Sequence, residues 1–187
     1  MSTQTIDSAW MFSQIGAEQY DEMPAEQCRD IEIVDGMVHV SPSPIPLHND
    51  VARHIADAID EGGKPGWRTV LDADLRLRDI PLLNRRPDLM VYAADTPRDR
   101  RIPVEAVLAV VEVVSPGSES TDRIAKPAEY AAAGIPFYWR VEIVAGEPIV
   151  HTYALDEASG GYRDTGTFNG TVKTRLSFPV EIDLTEV

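Results

Sequence analysis

The chain holds one cysteine, Cys28, in 187 residues. A lone thiol excludes a disulfide framework and a cysteine-built zinc cage, and it suits a reducing, cytoplasmic compartment. Membrane-length apolar runs are missing as well. The longest apolar stretch is interrupted by Glu105 and Glu112 and falls well short of the roughly 20 residues a spanning helix needs. The N-terminal MSTQTIDSAWMFSQ has neither a basic start nor a continuous apolar centre, so no secretory signal is expected. Also absent are the G-x-S-x-G elbow, the P-loop, G-x-G-x-x-G and H-E-x-x-H. Cys28 has no adjacent histidine to make it a nucleophile, and SPGSES carries too little glycine to cradle phosphate.

Positive charge is scarce overall, with a formal net charge of -14. That balance argues against non-specific coating of nucleic acid, which relies on Lys and Arg neutralising phosphates. The distribution is uneven. Between Arg76 and Arg101 seven arginines (76, 78, 85, 86, 98, 100, 101) face four acids (79, 88, 95, 99), a local balance of +3 that leaves -17 on the remainder. This patch reads either as solvated arginines on a hairpin and loop or as a basic lip beside a phosphate-handling site.

What is present fits one compact domain over residues 1–187, because 43% hydrophobic content at this length supports a core without disulfides or a structural metal. A short helix is predicted over 18–30. The segment IEIVDGMVHV reads as a hairpin turned at Asp35-Gly36, a pair that accepts the positive φ angles of a type I′ turn. The proline-punctuated SPSPIPLHND then leads into a helix over 47–60, with Val51, Ile55, Ala58 and Ile59 at helical spacing. Strict alternation in VLDADLRLR predicts one strand with a polar face, DIPLLNRRP a loop, and DLMVYA a strand opening at Asp88. The apolar 106–114 predicts a central strand buried on both faces, stopped by Ser115-Pro116-Gly117. The following helix is expected to run from about Ser120–Asp122 to Gly134, with Pro127 either at its first turn or at a kink. The aromatic, β-branched IPFYWRVEIV predicts another strand, and EPIVHTYAL, GYRDTGTF and TVKTRLSFPVEIDL complete the chain as antiparallel segments; the aromatic C-terminal strands could supply a self-complementary patch for a homodimer. Strands mixed with few helices imply an α/β mixed sheet with helices on its faces.

Glu112 is the anomaly in that central strand. An ionised carboxylate in an apolar interior costs several kcal/mol unless it is paired, protonated or metal-bound. Two readings are open: a strand-end ion pair with an arginine, or a site acid. Asp88, one strand earlier, and Lys126, on the next helix, favour the second. Carboxylates on adjacent strands can hold a hard divalent cation through oxygen, and a nearby lysine can steady an attacking water or the charge that develops on phosphorus.

Taken together, Pro87-Asp88, the strand ending Glu112-Val113-Val114-Ser115-Pro116, then Asp122, Lys126, Tyr130, Gly134 and Tyr138-Trp139, preceded by IEIVDGMVHVSPSPIPLHNDV, resemble the Uma2 family over about residues 20–153. The resemblance implies a restriction-endonuclease-like fold of the PD-(D/E)xK superfamily: a mixed central β-sheet flanked by helices, with additional antiparallel strands. It further implies Mg2+-dependent (or Mn2+-dependent) hydrolysis of nucleic-acid phosphodiesters, DNA being the expected substrate. Asp88 and Glu112 match the two acids and would bind the metal. Val114 stands where the motif places its lysine, and Lys126 matches the family's relocated one. Glu32 matches an additional N-terminal acid, and His48 the histidine at the start of the second helix. Arg76, Arg78 and Arg86, with His48, are expected to position substrate. Asp122 is expected to cap the helix or to hold Lys126, with capping favoured, and Tyr130 to pack or hydrogen-bond beneath the site. The rival reading is a catalytically silent module that keeps the fold for binding or assembly, which the acidic balance favours.

Overall fold

The computed structural model describes residues 13–40, 44–185 and 187. The N-terminal stretch read above for a leader, up to residue 12, and residues 41–43 of the proline-punctuated segment lie outside them. The chain divides into two compact units. The smaller comprises the described residues before Pro44 together with Arg76–Arg86, and the larger comprises Pro44–Leu75 and Pro87–Val187.

In the smaller unit, α1 (Ala17–Asp21) and α2 (Ala25–Cys28) stand where one helix was expected. Pro24 separates them, since proline has no N–H to continue the first helix. β1 (Ile31–Val34) and β2 (Met37–Val40) form the expected hairpin, with Val34 paired to Met37 and positive φ at both Asp35 and Gly36. A four-stranded sheet in the order β2-β1-β5-β4 also takes in β4 (Leu75–Arg78) and β5 (Leu83–Arg85). β5 therefore lies inside the segment expected to be a loop. Ile15, Tyr20, Ile31, Ile33 and Leu82 form this unit's core, and Cys28 is buried among them despite its polar sequence neighbours.

In the larger unit, α3 (Pro46–Gly63) begins with proline in its first turn, a position that needs no intrahelical N–H. The alternating VLDADLRLR is not one strand. β3 (Trp67–Leu71) ends at Asp72, whose φ of 48° breaks extended geometry. Next come β6 (Leu89–Ala93), a single 3-10 turn, and β7 (Val107–Val113). Every residue of β7 is buried, as its near-continuous aliphatic sequence predicts. A π-helical turn (Thr121–Ala125) leads into α4 (Lys126–Ala132), with Pro127 in the first turn of α4 and Gly134 at a φ of 81° beyond its end. β8 (Phe137–Val144), β9 (Glu147–Asp156) and β10 (Gly161–Asn169) complete a six-stranded sheet in the order β10-β9-β8-β7-β6-β3. β7 and β8 pair in parallel, joined by the α4 crossover, and the other pairings are antiparallel. A separate hairpin, β11 (Thr171–Arg175) with β12 (Pro179–Asp183), ends the chain.

The two sheet faces differ in chemistry. Ala109, Val111 and Val113 of β7, Trp139 and Val141 of β8 and Val150 of β9 join Val51, Ile55 and Ile59 of α3 and Val172, Val180 and Ile182 of the last hairpin in one apolar core. Successive strand residues point to opposite faces, so Glu112 faces away from that core, where side chains of α4 reach it. No helix among the described residues is long and apolar enough to cross a membrane.

Candidate functional site

β7 is the structural centre of the site. Leu89 pairs with Val111 and Met90 with Val110, so Asp88, the residue before β6, stands at the Glu112 end of β7. At that point the side chain of Asp88 enters the backbone pattern: the N–H of Val113 donates to Asp88 Oδ2 at 2.7 Å. The proline at position 87 suits the strand entry, since it has no N–H to contribute to a ladder.

Glu112 is 1% exposed. It is not left uncompensated. Lys126 Nζ donates to its Oε2 at 2.9 Å and the Tyr130 hydroxyl to its Oε1 at 2.6 Å, both across buried contacts. Lys126 and Tyr130 are four residues apart and so lie on one face of the helix, here the face turned to the acid. Lys126 is also 3.1 Å from Asp122 Oδ1. That contact is an ion pair by distance, without the angle of a hydrogen bond. Asp122 is thereby the partner of Lys126 and makes no capping hydrogen bond at the helix start, against the favoured reading of the sequence. Its Oδ2 accepts from Ser118 Oγ, and its backbone carbonyl accepts from the Tyr138 hydroxyl at 2.6 Å. Burial, and then the negative charges of Glu112 and Asp122, push the Tyr138 phenol far above its ordinary range, so it remains a proton donor.

Asp88 is more open, its side chain 24% exposed. His48, from the first turn of α3, places Nε2 3.2 Å from Asp88 Oδ2. Burial alone would lower the imidazole's pKa, but the hydrogen bond and charge of Asp88 outweigh it, and the net shift is upward. The structure thus gathers His48 with Asp88 and, on the next strand, Glu112 with Lys126, Tyr130 and Asp122.

The remaining candidates belong to the smaller unit. Glu32 is buried, accepting from Arg85 Nη1 at 2.8 Å and from the backbone N–H of Arg86 at 3.1 Å. Arg76 is held by Asp21 at 2.7 Å, and Arg78 by Asp35 and the Pro81 carbonyl. Sequence reasoning missed Arg85 as the partner of Glu32 and Ser118 as the partner of Asp122. The second had a faint signal in the four-residue spacing from Ser118 to Asp122.

Carboxylate oxygens are the donor type a hard divalent ion takes. Among the described residues no three His, Cys, Asp or Glu converge as a metal cage, which disfavours a four-ligand zinc site. Mg2+ needs less, commonly one or two carboxylates with water and substrate phosphate filling its other positions. Asp88 Oδ1 accepts no hydrogen bond among the described residues, whereas Oδ2 is engaged. An ionised carboxylate has about four lone-pair directions, so the bonds Glu112 accepts from Tyr130 and Lys126 are compatible with its also reaching a cation.

A sequence model of the Uma2 family, described as "Putative restriction endonuclease", matches residues 17–185. The chain belongs to the Uma2 family. The structure of this Uma2 chain is similar to a crystal structure of a "putative nuclease belonging to DUF820" from Anabaena variabilis ATCC 29413. The TM-score is 0.65 at 16% identity, covering 87% of this chain and 89% of the other. The shared fold is the restriction-endonuclease-like mixed sheet expected from the sequence. No curated protein matches this Uma2 sequence.

Proposed function

We propose that the larger unit carries a divalent-metal-dependent nuclease site that hydrolyses nucleic-acid phosphodiesters, DNA foremost. The observation that carries this reading is Glu112: a buried carboxylate on the central strand, clamped by Lys126 and Tyr130, next to Val113, whose N–H donates to the half-open Asp88. Membership of a family described as "Putative restriction endonuclease" supports it.

Asp88 and Glu112 would hold the ion. When bound, Mg2+ or Mn2+ neutralises phosphoryl oxygens and acidifies a water for attack. The protein's own groups do the rest. His48 and the Val113 N–H engage Asp88 Oδ2, which leaves Oδ1 as the oxygen to take the ion. Tyr130 fixes Glu112 Oε1, so the acid cannot rotate away from the strand. Lys126 supplies positive charge in a poorly solvated site, where a fixed cation stabilises developing negative charge most strongly. Asp122, itself bonded by Ser118, pairs with Lys126, an arrangement that would offset the absence of the motif lysine at Val114.

A second reading is a nuclease fold without catalysis, serving binding or assembly. It is favoured by the two hydrogen bonds already made to Glu112 and by the net charge of -14. The deciding experiment incubates purified protein with single- and double-stranded DNA and RNA in Mg2+ or Mn2+, beside Asp88→Asn, Glu112→Gln and Lys126→Met. Cleavage by wild type that all three variants lose supports the nuclease. A wild type that binds no divalent ion, or cuts nothing the variants leave intact, sinks it.

A further inference from the structure

The register of the larger sheet places Arg140 of β8 beside Glu112, His151 of β9 beside Arg140, and Thr167 of β10 beside His151. Directly paired residues on neighbouring strands share a face. These four therefore form one cross-strand row, about 14 Å long at the usual strand spacing. Burial falls along it. Glu112 is enclosed, Arg140 and His151 are half-buried, and Thr167 is exposed. The buried acid is the inner end of a polar row that opens toward β10, the last strand of the sheet.

Charge along the row is uneven. Glu142, two residues beyond Arg140 and on the same face, serves two arginines. Arg123 takes both its oxygens through Nε and Nη2, at 3.1 and 2.8 Å. Arg140 Nε lies 3.0 Å from Oε1, yet in an orientation that makes no hydrogen bond, so this buried nitrogen has no hydrogen-bond partner among the described residues. Two guanidinium groups thus share Glu142, while Lys126 serves Glu112 and Asp122 at the inner end. Asp164, paired with Tyr153 further out, is exposed and well screened by solvent. The Arg140 guanidinium stands over the Tyr153 ring, 5.6 Å from its centre, a cation–π contact that favours this placement.

We propose that Arg140, oriented by Tyr153 and assisted by Arg123, seats a backbone phosphate next to the scissile one. A substrate strand would then run from Glu112 along this row toward β10. The inference rests on the nuclease reading and adds the path of the substrate. A guanidinium fork matches a phosphate's paired oxygens, and the Arg140 Nε is a donor that its carboxylate neighbour leaves unused.

The test is fluorescence anisotropy of labelled single- and double-stranded DNA in EDTA, between about 50 and 200 mM salt, with cleavage in Mn2+ read separately. Arg140→Gln is expected to raise Kd about tenfold and to lower the slope of log Kd against log salt by about one. Arg123→Gln, whose side chain is 45% exposed, changes both in the same direction and by less, and it guards against a folding defect in Arg140→Gln. Arg163→Gln removes an equal charge from β10 beside Ala154, on the opposite face, and leaves both values unchanged. If wild type cuts DNA and neither Arg140→Gln nor Arg123→Gln alters Kd or slope, the phosphate seat is overturned and the nuclease reading stands. If wild type binds DNA, weakens as described in both variants and never cuts, the seat stands and the nuclease reading falls. A wild type that neither binds nor cuts overturns both.

Discussion

Replacing Lys126 by methionine removes one charge from the interior and leaves two acids behind. Glu112 and Asp122 are 1% and 2% exposed, and Lys126 is the cation 2.9 and 3.1 Å from their oxygens. Breaking a buried ion pair by deleting one partner typically costs about 3–5 kcal/mol, because the remaining charge is left uncompensated. Here Glu112 keeps the Tyr130 hydroxyl and Asp122 keeps Ser118, so the low end, about 3 kcal/mol, is expected. With an m-value of roughly 2 kcal/mol per M urea, the midpoint should fall by about 1.5 M. The assay is urea unfolding at pH 7 followed by both far-ultraviolet circular dichroism and tryptophan fluorescence, since coincident transitions are needed for such a figure to be meaningful. The companion variant Glu112→Gln with Lys126→Met removes one of the stranded charges and should recover at least about 1 kcal/mol. A Lys126→Met midpoint within about 0.5 M of wild type, with no gain in the double variant, would refute the idea that this lysine holds the buried acids. That loss would correspond to only about 1 kcal/mol, the scale of an exposed pair.

Tyr130→Phe deletes one hydrogen bond to a charged group and should cost about 1.5–3 kcal/mol in the same assay, with metal-dependent cleavage reduced and not abolished. Tyr138 provides a pH test. Its folded pKa is raised by burial, so the stabilisation is complete below the unfolded value near 10 and is lost as pH rises above it. Tyr138→Phe should therefore lose stability less steeply than wild type between about pH 10 and 12, by roughly 1.4 kcal/mol per pH unit, as urea midpoints across that range would reveal. Glu32→Gln should destabilise the smaller unit by about 3 kcal/mol, because Arg85 loses its buried carboxylate partner. A change below about 1 kcal/mol would argue that the pair is inconsequential. Asp88→Asn should weaken Mn2+ binding at least about tenfold by calorimetry, given loss of the half-open ligand charge, and unchanged affinity would remove Asp88 from the metal site.

Much of the architecture followed from local chemistry. The Asp35-Gly36 hairpin, the helical period of Val51, Ile55 and Ile59 in α3, the buried β7 and the glycine after α4 each rest on backbone preferences or on a short hydrophobic period. These act over a few residues, which is why they could be read one segment at a time. Errors arose where a local pattern had two solutions. The 67–78 region keeps the alternation of one strand, but Asp72 turns the chain and β4 joins a different sheet. Pro24 divides what looked like one helix.

The amino-acid sequence by itself determined the candidate acids. Glu112 was conspicuous because a carboxylate inside an aliphatic strand demands compensation, and Asp88 and Lys126 were within reach of the same argument. Only the tertiary structure decided who compensates whom. Asp122 turned from a cap into the second anion on Lys126, Glu32 acquired Arg85, and Arg140 came to stand beside Glu112 through a parallel pairing 28 residues apart in sequence. Such partnerships depend on strand order and register. Those are set by how whole elements pack, and no window of neighbouring residues contains that information.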